Sequence, residues 1–439
     1  MIKHFTIVFL FIVVQSASAS AQQRLRNMIE HSTIFSKHFT GFVLANPKTN
    51  EAIYNYNDDK YFTPGSNTKM FTLYTCLRLM GERLPLLRYT LRGDSLIFSG
   101  TGNPALLHPF LPSDSSAFQL LRRQHNSLYF ASSNFQDDRF AQGWMWEDYE
   151  FYDQPERSPL PLYGNVVQFD LPPFAQILGV KPKYFQSYVQ ANPNNKSIKP
   201  NVTRHFHENI FEYNSRPATA TLFEEEIPFL YSDELCVKLL SDTLEKTVSL
   251  YTGIAPGMSE STILLGDVSA DSIYRRMMQE SDNFIAEQLL LLCSNELYGY
   301  MNTATIIAYA KQNLLSDLPD EPKWVDGSGL SRYNLVTPRS IVRLLQKMYT
   351  EYPSARLFDI FPAGGVSGTI KDNYGGDNGQ PFVFAKTGTL SNNHSLSGYV
   401  VTKKGTVLVF SFMHNNYLCK VSTIKKEMEK VLTYIYNTY

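Results

Sequence analysis

Thr63-Pro64-Gly65-Ser66-Asn67-Thr68-Lys69-Met70-Phe71 marks the point where turn chemistry gives way to a helical period. Pro64-Gly65 punctuates the chain, and Met70, Leu73, Leu77 and Met80 then recur at three- and four-residue steps. That pattern predicts a helix beginning at Ser66 with one buried face. Just upstream, Gly41–Ala45 and Ala52–Tyr56 read as short strands, and the turn residues Pro47-Lys48-Thr49-Asn50 between them predict a hairpin.

From the other end of the chain, strand-like runs cover Phe382–Thr387, Ser395–Thr402 and Thr406–Met413. Ile424, Met428, Val431, Leu432 and Ile435 share one face of a closing helix. Further helical patterns cover Tyr274–Leu292 and Pro338–Tyr349. The middle third differs, being rich in Pro, Asn, Tyr and Phe with short apolar runs such as Tyr129–Ala131 and Val166–Leu171. Ala191–Lys196 within it reads as an exposed loop. Hairpin and helix at the start, strands and helix at the end, predict one α/β domain split by a mostly-β insertion.

Three short motifs carry candidate chemistry. Ser66-Asn67-Thr68-Lys69 places a hydroxyl and an amine three apart, on one helix face, where the lysine can take the serine proton. The helix start also favours a developing oxyanion at Ser66. Ser281-Asp282-Asn283 precedes an apolar helical run and offers a hydroxyl and an amide to a cleft. Lys386-Thr387-Gly388-Thr389 ends a strand; its lysine and threonine suit a carboxylate, and Gly388 allows close approach of a backbone. Taken singly, each is equally a serine cap beside a solvated lysine, an N-cap, or a strand ending in a turn. It is their combination and order that carry weight.

That ordered set is a signature of active-site-serine penicillin-binding proteins and β-lactamases. The sequence resembles the class C low-molecular-mass penicillin-binding proteins, the D-Ala-D-Ala carboxypeptidase/endopeptidase family. The resemblance runs on through Gly143-Trp144-Met145-Trp146-Glu147-Asp148, Asp326-Gly327-Ser328-Gly329-Leu330-Ser331-Arg332, Gly364–Thr369 and Ser395–Tyr399. In three places the chain departs from the family: Gly65 stands where alanine is more usual, the insertion is compact, and Gly102-Asn103-Pro104 replaces a more acidic turn. The resemblance implies an α/β (α+β) fold with an antiparallel sheet flanked by helices, built from residues 22–90 and 262–439 and interrupted by an insertion at 91–261. It also implies that Ser66 is the nucleophile and Lys69 the base, its pKa lowered by burial and by Lys386. Ser281 relays a proton, Asn283 holds Lys69, and Lys386, Thr387, Gly388 and Thr389 receive the terminal carboxylate and oxyanion. Asp137, Phe140 and Arg332 are implied to face the substrate. The implied partners are peptidoglycan stem peptides and, as covalent inhibitors, β-lactams. A β-lactamase or esterase with the same machinery, or a silent peptidoglycan-binding protein, are the competing readings.

Composition narrows the field from another direction. Charged residues make up 18% and the formal net charge is −1, so no basic field invites nucleic acid. Lys3 and His4 precede the apolar run Phe5–Val14, and Ala17-Ser18-Ala19-Ser20-Ala21 offers small-x-small cleavage sites. Residues 1–21 therefore read as an export signal, with the mature chain starting at Ser20 or Gln22 and destined for the periplasm. The run is short of the ~20 apolar residues a bilayer demands, and no membrane anchor is expected. Cys76, Cys236, Cys293 and Cys419 are too scattered for a zinc or redox motif. His205 and His207, with Glu208 beside them, are followed by no further ligand at a sensible distance, so neither metal nor cofactor is expected. His394 reads as a solvated turn residue near the cleft.

Overall fold

The computed structural model describes residues 20–123, 127–175, 177–192, 201–214 and 221–439. The export signal lies, but for its last two residues, outside them, as does most of the loop read at Ala191–Lys196. Residues 20–30 are helical, with Leu25 and Ile29 buried.

The first and last strands of the chain meet in one antiparallel sheet. Its order is Val383–Leu390, Asn393–Val401, Val407–Asn415, Phe39–Ala45, Ala52–Tyr56. Phe39–Ala45 pairs with Val407–Asn415 over seven residues, so the two ends of the chain are hydrogen-bonded directly. Both faces are covered, which is why these strands read as nearly continuous apolar runs. Phe42, Leu44, Phe410 and Phe412 pack under residues 20–30 and the Val421–Thr438 helix. Val43, Ala45, Tyr399 and Val409 turn to the other face, against the helices Lys69–Leu79, Asn283–Tyr298 and Pro338–Glu351. The period-two alternation of side chains thus divides one sheet between two cores.

The middle of the chain builds a second five-stranded sheet, ordered Val248–Leu250, Ser127–Phe130, Ser95–Gly100, Arg83–Arg92, Thr262–Ser269. Two three-stranded sheets and the helices Ser116–Arg123 and Asp233–Leu244 accompany it. Residues 83–90 and 262–269, expected in the outer domain, are built into this second sheet, because Arg83–Arg92 pairs with Ser95–Gly100 on one side and Thr262–Ser269 on the other. We therefore propose that the insertion starts at Arg83 and ends at Ser269.

The helical pattern over Tyr274–Leu292 resolves into two helices, Ala270–Gln279 and Asn283–Tyr298. Between them Ser281 sits at φ +62, in the left-handed region that a non-glycine residue enters only when its surroundings hold it. Cys76 and Cys293, on facing helices, stand Sγ to Sγ at 3.6 Å as buried thiols.

Candidate active site

Ser66 lies in a 3₁₀ turn, Gly65–Thr68, that leads into the α-helix Lys69–Leu79. The helix therefore starts three residues later than the apolar period indicates, and Ser66 makes no capping bond. Gly65 enters the turn at φ +54, a conformation that explains glycine where alanine is usual. Gly388 has no room for a side chain: a Cβ there would lie 2.1 Å from the Pro64 carbonyl oxygen. The edge strand Val383–Leu390 is thus pressed against the Ser66 turn, and the amide nitrogen of Thr389 comes within 3.1 Å of where a Gly65 Cβ would stand. Asn67 fastens the two. Turned so that its oxygen meets N–H and its nitrogen meets C=O, its amide accepts from Gly388 N (3.1 Å) and donates to Lys386 O (3.2 Å). Ser395 Oγ adds a bond to Pro64 O at 2.6 Å.

Two lysine–serine pairs serve one cleft of about 470 Å³, whose lining includes Ser66, Ser281, Asn283, Thr387 and Thr389. Lys69 Nζ donates to Ser66 Oγ (3.1 Å), Asn283 Oδ1 (2.5 Å) and Ser328 O (2.8 Å). Lys386 Nζ donates to Ser281 Oγ (2.9 Å) and Thr387 O (2.9 Å). Thr387 Oγ1 reaches Thr369 Oγ1 at 2.8 Å. Asp282 is the N-cap of the Asn283–Tyr298 helix, accepting from Ile285 N at 3.0 Å. The capping and cleft readings of Ser281-Asp282-Asn283 therefore hold together: Asp282 caps while its neighbours reach the two lysines.

Neither lysine is exposed. Burial lowers the Lys69 pKa to about 8, against the pull of Asp326, Asp282, Glu287 and Asp153. Burial, and then the charge on Lys69, hold Lys386 well below the usual lysine range. Two ammonium groups repel each other equally, so a charge on either lysine disfavours a proton on the other.

Several supporting residues make contacts that the sequence alone does not assign. Asp326, fully buried, accepts from Gly329 N (2.8 Å), Ser331 N (2.7 Å), Asn334 Nδ2 (2.7 Å) and Trp144 Nε1 (3.0 Å). It folds the glycine-rich loop so that Ser328 O meets Lys69. Glu287 accepts from Ser328 N (2.8 Å); burial, reinforced by Asp326, pushes its pKa up to about 7. His394 is not a solvated turn residue. It is buried in Asn393–Val401, with Nδ1 2.8 Å from Thr389 Oγ1, and burial lowers its pKa to about 3. Asp153, on the cleft wall, is a further carboxylate beside the lysines; burial pushes its pKa up while Lys69 pulls it down.

Asp137 and Phe140 are not brought to this cleft. They line a separate hollow, where Asp137 accepts from Arg157 Nη2 (3.1 Å) and Thr303 N (2.7 Å) and Phe140 O accepts from Arg157 (3.2 Å). Arg332 stands exposed near the cleft, its guanidinium donating to Ser391 O at 3.2 Å. His205 pairs through Nε2 with Glu212 at 2.9 Å.

The comparisons with known proteins agree with this architecture. The chain matches the D-Ala-D-Ala carboxypeptidase 3 (S13) family over residues 21–435. It is 23% identical over 423 residues to the D-alanyl-D-alanine carboxypeptidase DacB of Haemophilus influenzae, covering 86% of this chain and 85% of that one. With a D-alanyl-D-alanine carboxypeptidase of an Actinomadura species it shares 25% identity over 428 residues, 86% of this chain and 78% of the relative. The crystal structure of penicillin binding protein 4 from Haemophilus influenzae superposes with a TM-score of 0.70 at 19% identity, covering 94% and 99% of the two chains. The chain belongs to the D-Ala-D-Ala carboxypeptidase 3 (S13) family.

Proposed function

We propose that this enzyme is a serine D-Ala-D-Ala carboxypeptidase acting on peptidoglycan stem peptides in the periplasm through an acyl-enzyme on Ser66. The observation that carries this reading is the pair of buried lysine–serine couples sharing one cleft. Neutral Lys69 takes the Ser66 proton as Oγ bonds to the carbonyl carbon of the penultimate D-Ala. The N–H groups of Ser66 and Thr389 receive the oxyanion. As the C–N bond breaks, Ser281 passes a proton to the departing amine, and water later hydrolyses the ester. Lys386 and Thr387 hold the terminal carboxylate; Asn283 holds Lys69.

Mass spectrometry after incubation with benzylpenicillin tests the reading. A long-lived adduct on the peptide containing Ser66 is expected, and a protein of unchanged mass and no hydrolytic activity would refute it. Asp153 supports a second reading, fast deacylation as in a β-lactamase, because it places an extra carboxylate on the cleft wall. Rapid turnover of the adduct would favour that reading.

The carboxylate role of Lys386 makes a separate claim. Lys386→Ala is expected to lower kcat/KM for a peptide ending in free D-Ala-D-Ala by at least roughly tenfold, about 1.4 kcal/mol. Amide-capped analogues lose much less, since they never form the ion pair. Equal losses on both would leave Lys386 only as a partner of Ser281.

A further inference from the structure

The Gly143–Asp148 motif contributes Trp144 to the Asp326 network, but Trp146, two residues on, points away from it. Trp146 is 72% exposed and Phe206 44% exposed, with ring centroids 6.0 Å apart at 84°. Tyr149 meets Phe206 edge to face at 4.8 Å, and His207 meets it at 4.6 Å. Beside these rings is a hollow of about 640 Å³ whose lining adds Glu150, Thr203, Arg204, His205 and Glu208. We propose that this hollow and the Trp146 ring bind the glycan strand of peptidoglycan, an inference that rests on the peptidase reading of the Ser66 cleft.

The chemistry of the lining selects a neutral sugar. Aromatic faces suit the C–H faces of pyranose rings, while histidine, threonine and carboxylate groups suit their hydroxyl and acetamido edges. A phosphate ligand is disfavoured, because Arg204 already donates to Pro228 O (2.7 Å) and His205 O (2.8 Å) and Glu150 and Glu208 flank it. A lipid surface has no use for two carboxylates.

The position argues for the same partner. The run from Trp146 to Asp153 joins the hollow to the Ser66 cleft, since Asp153 lines that cleft. It is folded back on itself: Gln154 Nε2 donates to Met145 O (2.9 Å), Gln154 N to Phe151 O (2.9 Å), and Phe151 N to Asp148 O (3.0 Å). Tyr152 OH pins the cleft end to Asp282 at 2.6 Å, and Tyr149 OH pins the other to Arg204 O at 3.0 Å. A stem peptide has three residues between its D-Ala pair and the sugar, ~10 Å when extended. Such a substrate carries a glycan wherever its stem leaves the cleft, and the aromatic hollow stands on that shoulder.

The test uses Trp146 as reporter, since Trp324 is buried and Trp144 is tied to Asp326. Titration with a peptide-free tetramer of β-1,4-linked N-acetylglucosamine is expected to change the tryptophan fluorescence of the full-length enzyme, and Phe206→Ala is expected to weaken that response. Trp146→Ala and Phe206→Ala are each expected to lower kcat/KM on intact sacculi roughly three- to tenfold, with turnover of a soluble pentapeptide unchanged. Benzylpenicillin acylation of the variants reports that they are folded. No saccharide response, or equal losses on sacculi and soluble peptide, overturns the proposal. Wild-type enzyme inert toward pentapeptide and penicillin would instead sink the peptidase reading, while the saccharide titration still reads the hollow by itself.

Discussion

Ser66→Ala is expected to abolish the benzylpenicillin adduct and to cut peptidase turnover at least about 10⁴-fold, while the protein melts close to the wild-type temperature. The size of the loss follows from removing the atom that forms the ester. The small effect on stability follows from the turn: an N-cap serine would be worth about 1 kcal/mol, but Ser66 makes no cap bond. Among the described residues its hydroxyl accepts from Lys69 alone, and Lys69 keeps Asn283 Oδ1 and Ser328 O when that bond is gone. The experiment also discriminates within the cleft, because Ser281 beside Lys386 is a second hydroxyl–amine pair at 2.9 Å. Ser66 is preferred as nucleophile because the Thr389 amide approaches its turn. Undiminished labelling of Ser66→Ala would transfer the nucleophile to Ser281.

The parts of this site that are legible in the sequence are the local ones. Ser66 and Lys69 share a turn, Ser281 and Asn283 flank a cap, and Lys386 to Thr389 end a strand, so each motif shows within four residues. The outer sheet is legible for a similar reason, since its strands Phe39–Ala45 and Val407–Asn415, covered on both faces, give nearly continuous apolar runs. The partners of the supporting residues are not legible, even where their motifs are, because the contacts join distant residues. Asp326 gathers amides from its own loop and an indole 182 positions earlier, and Glu287 reaches Ser328 across 41. Asp137 looks like a substrate contact by resemblance, yet its oxygens are taken by Arg157 and Thr303. The Thr303–Asn313 helix leaves little trace because β-branched residues begin it and only four of its residues are buried.

Burial lowers both lysines, and contact with Ser66 Oγ at 3.1 Å makes Lys69 the base for that hydroxyl. Lys69→Met is expected to slow acylation by benzylpenicillin and by peptide at least about 10³-fold, within the range of a lost general base. Lys69→Arg should be no better, since it restores charge but cannot accept a proton at these pH values. In wild type, kcat/KM should rise with pH through about 8, the pKa to which burial lowers Lys69, because only neutral Lys69 can take the Ser66 proton. The linkage to stability has the opposite sense to that of an ion-paired lysine. The unfolded pKa is 10.5 and the folded one about 8. Between them the unfolded chain holds a proton that the native state has released, so stability rises with pH across this window. Below pH 8 the full cost of the buried charge, roughly 3 kcal/mol, is present. In Lys69→Met that contribution is gone, and Lys386, relieved of its neighbour's charge, titrates closer to the ordinary lysine range. Denaturation midpoints of the two proteins at pH 7 and pH 10 should therefore diverge in favour of wild type at the higher pH. Parallel midpoints, or a variant that keeps the rising limb near pH 8, would mean that another group takes the serine proton.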